Sequence, residues 1–63
     1  MPFKIREARK EKGYTQEELA KRANVSRDTI IGLENGSVTV TTTETLTKIA
    51  GALDKKVSDI FLA

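Results

Sequence analysis

The sequence predicts an all-α domain, a compact bundle of five short helices. Three observations carry that prediction. Apolar residues recur at helical spacing in separate short stretches. Thr15, Ser26 and Thr41 stand where helix N-caps belong, and Gly13, Asn24 and Asn35-Gly36 stand where helices stop. The one proline is Pro2, so no proline interrupts any of these stretches.

The first helix covers residues 3–12, with Phe3, Ile5, Ala8 and Arg9 near one face and charges elsewhere. Gly13 supplies its left-handed stop. Thr15-Gln16-Glu17-Glu18 reads as a capping box that opens the second helix. Leu19, Ala20 and Ala23 form its inner stripe, and Asn24, which tolerates positive φ, ends it. Ser26 caps a third helix that runs to about Glu34, with Ile30 and Leu33 inward and Asn35-Gly36 as its stop. Residues 37–43 are β-prone and alternate, but a lone strand has no partner, so they read as an extended loop. Thr41 with Glu44 suggests a second capping box before a fourth helix over 42–53, whose face is Leu46, Ile49, Ala50 and Leu53. Asp54-Lys55-Lys56 is a turn, and Val57, Ile60 and Phe61 mark a short fifth helix.

The 63 residues suffice for one domain, residues 1–63, with a marginal core. The chain has no Cys and no His. Stability therefore comes from helix packing, or partly from dimerisation, and no metal or other cofactor is expected. The same absence removes the ordinary general base near neutral pH, the thiol nucleophile and the transition-metal cluster. Serines 26, 37 and 58 sit at predicted caps or turns, and there is no glycine-rich phosphate loop, so no enzyme is expected. No apolar run approaches the roughly 20 residues of a membrane span. Met1-Pro2-Phe3-Lys4 leads straight into charged sequence, so no signal peptide is expected and the reading is cytoplasmic.

Net charge is only +2, but it is unevenly placed. Residues 1–27 carry eight Lys/Arg against four acids, and residues 28–63 carry three against five. A basic half suits a polyanionic partner, but charge alone favours the alternative of an ordinary solvated surface.

The joint between the second and third helices is the most informative feature. Ala20 allows close helix approach, Asn24 makes the turn, Val25 plugs the corner, and Ile30 and Leu33 anchor the third helix. These are the requirements of a helix-turn-helix, whose second helix enters a major groove. Gln16-Glu17-Glu18-Leu19-Ala20, Val25-Ser26, Ile30 and Leu33-Glu34-Asn35-Gly36 resemble the phage repressor and Cro type of helix-turn-helix, the xenobiotic-response-element family of bacterial regulators. Leu46, Ile49-Ala50, Leu53 and Ile60-Phe61 continue the match. The resemblance implies a lambda-repressor-like fold, a bacterial or phage source, and a transcriptional regulator, a repressor by type. It implies double-stranded DNA as partner, bound as a homodimer on a palindromic operator, with no small-molecule ligand evident. Two departures stand out: Asn24 replaces the family's usual Gly, and the loop after Gly36 lacks Lys, Arg and Pro. At this length no separate ligand-binding or oligomerisation domain is expected.

On that resemblance the third helix reads DNA. Ser26 caps it and stands where a phosphate or base is met. Arg27 has the geometry for guanine O6 and N7, or clamps phosphate; Asp28 accepts from cytosine N4, or favours the helix N-terminus. Thr29 faces the DNA backbone or solvent. Ile31, about 100° around the helix from Ile30, packs against the fourth helix or meets a thymine methyl. Gly32 falls on the outward face at another base-facing position, where it offers no hydrogen bond and costs about 1 kcal/mol against Ala. Close approach to the groove wall is one rationale; an unselected residue is the other. Gln16 contacts phosphate or braces a recognition side chain, and Asn35 contacts phosphate or caps the helix. Lys21 and Arg22, like Lys10 and Lys12, supply general attraction. Arg9 and Glu34 are implied to form a partly buried ion pair. The dimer surface is expected at Val57, Ile60, Phe61 and Leu62, with the loop at Val38 and Val40 as the other candidate. A different class also fits: a protein-interaction module, an antitoxin or adaptor, that keeps the fold without reading DNA.

Overall fold

A computed structural model describes residues 3–38 and 41–61. Five helices follow in order: α1 (Ile5–Lys12), α2 (Gln16–Ala23), α3 (Arg27–Asn35), α4 (Thr43–Ala52) and α5 (Val57–Ile60). Among the described residues no strand forms, and the β-prone positions Thr39 and Val40 lie outside them.

Helix α1 begins two residues later than the apolar spacing suggests. Phe3 is extended and forms an isolated antiparallel bridge with Phe61. The Lys4 amide donates to the Ile60 carbonyl at 2.7 Å, and the two phenyl rings meet edge to face at 5.5 Å. A contact between the two ends of the chain thus outcompetes an extra helical turn. Gly13 stops α1 at φ 73°.

Thr15 opens α2 with a complete capping box: its hydroxyl accepts from the Glu18 amide at 3.0 Å, and Glu18 Oε1 accepts from the Thr15 amide at 3.1 Å. Asn24 ends the helix at φ 56°, and the Val25 amide returns to the Ala20 carbonyl at 3.0 Å. Ser26 caps α3 by accepting from the Thr29 amide at 3.1 Å. The cap of α4 corrects the sequence reading. Thr42, not Thr41, accepts from the Thr45 amide, at 3.1 Å, and no Thr41–Glu44 box forms. The shift by one residue lets the Thr42 and Thr45 hydroxyls also bond each other at 2.9 Å.

Helix α2 packs on both α3 and α4, α5 on α4, and α1 on α3. Their inner faces, with Phe3 ahead of α1 and Leu53 at the end of α4, form one core that includes Ile5, Leu19, Ile30, Leu33, Ile49 and Ile60. Burying large aliphatic side chains stabilises a domain by about 1.5–3 kcal/mol each. Outside the core, Lys12 binds Asp54 and Lys55 lies 3.3 Å from Glu11, joining the end of α1 to the α4–α5 turn. No helix among the described residues is long and apolar enough to cross a membrane.

Candidate nucleic-acid interface

The α2–α3 corner is short because each residue in it has one job. Asn24 reverses the chain, half-buried Val25 packs against the core from inside the turn, and Ser26 starts α3. The first turn of α3 then stands in solvent: Ser26, Arg27 and Asp28 are exposed, and Thr29 is half-buried with its hydroxyl 2.7 Å from that of Ser26. A helix N-terminus carries free amides and partial positive charge, so this turn is suited to an anionic ligand. Lys21 and Arg22 are also exposed. Lys21 lies 3.7 Å from Glu17, and the Arg22 guanidinium lies over the Tyr14 ring at 4.5 Å.

The orientation of α3 is set at its other end by Glu34. This carboxylate is 1% exposed yet fully paired. Arg9 grips it from two sides, Nε to Oε2 at 2.7 Å and Nη2 to Oε1 at 3.1 Å, and donates through Nη1 to the Tyr14 carbonyl at 2.8 Å. Gln16 Nε2 donates to Oε1 at 3.2 Å. Arg6 adds longer contacts, Nε to Oε1 and Nη2 to the Glu34 carbonyl, each at 3.4 Å. Burial pushes the Glu34 carboxyl up, but the hydrogen bonds from Arg9 and Gln16, the Arg9 charge and the Arg6 bond outweigh it. The group is held below its ordinary value of 4.5. Helices α1, α2 and α3 are thus tied at one point.

Arg6 was legible in principle, since it lies three residues before Arg9 and therefore on the same side of α1. Its role is not apparent in the sequence because the expected pair already looked complete. Gln16 is half-buried and its amide nitrogen is engaged with Glu34. Asn35 is the last residue of α3 and exposed; its Oδ1 accepts from the Ser37 amide at 2.8 Å, while Gly36 stops the helix at φ 84°.

Two sequence expectations are corrected. Gly32 does not lie on an open face: it is buried, because the following loop folds back over it. Its carbonyl accepts from the Gly36 amide at 3.1 Å and the Val38 amide at 3.0 Å. A Cβ at position 32 would fall 2.5 Å from Val38 Cγ2 and 3.1 Å from Val38 Cβ. The glycine is a notch for the loop, which neither of the sequence rationales provides. The second correction concerns the apolar C-terminal segment. Ile60 is 0% exposed and belongs to the core, and Val57 is half-buried against it. A surface for a second copy cannot use Ile60. Phe61, at 43% exposure, remains available, and Leu62 lies outside the described residues.

Comparison with known proteins agrees with this geometry. A helix-turn-helix family model matches residues 5–60. A regulator of Archaeoglobus fulgidus, described as an uncharacterized HTH-type transcriptional regulator, is 40% identical over 62 residues, covering 98% of this chain and 87% of that protein. A second from the same organism is 42% identical over 62 residues, covering 98% and 86%. One from Methanothermobacter thermautotrophicus is 69% identical, but over 32 residues, 51% of this chain and 46% of that regulator. Among solved structures, SinR in complex with DNA superposes with a TM-score of 0.83 at 35% identity, covering 86% of each chain. The SinR–SinI complex gives 0.84 at 34% identity, covering 87% of this chain but 53% of that one. The short corner, the capped and exposed α3 and the match over residues 5–60 place this chain in the Cro/C1-type helix-turn-helix family, whose members are DNA-binding transcriptional regulators and not enzymes.

Proposed function

We propose that residues 1–63 act as one unit that binds double-stranded DNA in the cytoplasm. Helix α3 lies in the major groove with its first turn on base edges. One observation carries this reading: Ser26, Arg27 and Asp28 are the exposed start of a helix whose far end is clamped by Arg9, Arg6 and Gln16 through Glu34. A clamped helix presents its side chains without paying for their orientation on binding. Arg27 reads guanine, Ser26 and the α3 amides hold a phosphate, and Asn35, Lys21 and Arg22 supply further backbone contacts. Gln16 works chiefly as a brace. A domain this small presents a small contact surface, which supports a two-fold dimer on a palindromic site, with half-sites about one helical turn apart. Exposed Phe61 supports the C-terminal end as part of that dimer surface. A repressor role follows from blocking a promoter with such a dimer.

Selection of binding sites from random duplexes, followed by titration across salt, tests the proposal. A palindromic site is expected, with affinity falling linearly in log salt at about 0.9 per phosphate contacted. Sedimentation with the selected duplex should show two chains per site. No enriched site, flat salt dependence and a co-purifying protein would instead identify an interaction module.

A further inference from the structure

The outward face of α3 holds an anomaly that the interface above leaves unused. Asp28 and Gly32 are one turn apart, about 40° from each other around the helix, and so neighbours on its surface. Gly32 is turned about 200° from the core anchor Ile30. Its burial is therefore not burial in the core; it is burial beneath the loop. The Val38 methyl occupies the very volume that a side chain on residue 32 would fill, 2.5 Å from that Cβ position. The loop is pinned there by the Val38 amide on the Gly32 carbonyl at 3.0 Å, and Ser37 Oγ lies 3.4 Å from the same point. Val38 itself is half-buried: it packs against the edge of the core as well as over Gly32, and the rest of it is in contact with solvent.

The geometry points to Val38 as a specificity-determining residue: a loop side chain that takes the place of the missing side chain at position 32 and meets the floor of the groove next to Asp28. This rests on the proposed binding of DNA by α3. An aliphatic side chain cannot hydrogen-bond a base edge, and its partner in the major groove is the thymine C5-methyl. Gly32 serves this arrangement because any side chain there would expel Val38.

The experiment replaces thymine by uracil, position by position, in the duplex recovered by selection from random DNA. For the wild-type chain, removing one particular methyl from a single half-site should weaken binding about fourfold, the worth of one buried methyl-sized group. Val38→Ala should bind the thymine and uracil duplexes alike at that position and keep its response elsewhere. Val38→Thr, which preserves the shape over Gly32, guards against a variant that fails to fold, and should lose most of the discrimination. Gly32→Ala, by displacing Val38, should change preference at the same position. Identical uracil profiles for wild type, Val38→Ala and Val38→Thr would overturn the assignment while leaving DNA binding intact. Failure to recover any site would overturn the binding proposal, and this inference with it.

Discussion

Replacing Glu34 by Gln tests the joint that fixes α3. The side chain keeps its size, but its charge is lost and one acceptor oxygen becomes a donor amide. That amide must face either Arg9 Nε, now 2.7 Å from Oε2, or the cluster of Arg9 Nη2, Gln16 Nε2 and Arg6 Nε around Oε1. Removing one partner of a buried pair costs about 3–5 kcal/mol, because the other charge is stranded. Here the stranded charge has partial relief. The Arg9 side chain is 14% exposed and keeps the Tyr14 carbonyl, and that of Arg6 is 44% exposed and can turn to water. The low end applies, about 3 kcal/mol. Domains hold about 0.05–0.15 kcal/mol per residue, so this loss is a third or more of the whole. At about 4–8 °C per kcal/mol the melting midpoint should fall by about 12–24 °C, followed by far-UV circular dichroism. Replacing Arg9 and Glu34 together by Leu should recover much of that loss, since two apolar residues strand no charge. A midpoint within about 3 °C of wild type for Glu34→Gln would refute the reasoning.

Other outcomes follow from the same geometry. Gly32→Ala gains about 1 kcal/mol of helix propensity but forces Val38 from its seat, an overpacking cost of about 1–3 kcal/mol; a raised melting midpoint would show that the loop yields freely. Glu34 titrates below 4.5 in the folded chain, so its contribution is complete above that value and fades as pH falls through the folded pKa. The lowered Asp54 adds to the same acid limb. The raised Lys12 acts oppositely, its contribution fading only as pH climbs through its folded pKa. Melting midpoints measured from neutral into acid should therefore decline, and Glu34→Gln should flatten the decline. Arg27→Ala should relax one base position at a cost of about 1–3 kcal/mol in binding, whereas Lys21→Ala should weaken all sites alike and lower the salt slope by about 1. Ile60→Ala should cost about 2–5 kcal/mol of stability independent of protein concentration, as expected of a core residue and not of a dimer contact.

Much of this protein's structure is local and is therefore legible in its sequence. Gly13, Thr15, Asn24 and Ser26 bound α1, α2 and α3 as their chemistry demands, because caps and left-handed stops act within four residues. The inward stripes of α2 and α4 follow from helical period alone. The helix-turn-helix corner is local too, since Ala20, Asn24 and Val25 lie within one hydrogen-bonded turn.

What the sequence could not show lies in contacts between residues far apart along the chain. Phe3 belongs to an extended segment and not to α1 because Phe61 and Ile60 arrive beside it. Arg6 joins Glu34 only because α1 crosses the end of α3 at that height. Ile60 ends α5 buried, whereas Phe61, extended just beyond the helix, is 43% exposed, and a four-residue helix is too short for periodicity to decide between them. Gly32 is the clearest case. Helical period turns it away from Ile30 and so suggests an open position, but period describes an isolated helix and knows nothing of a loop that returns to cover it. Sequence determined where α3 begins, ends and attaches. Tertiary structure decided that its outward face carries a valine from the loop in place of its own side chain, because the absence of a Cβ left room for one.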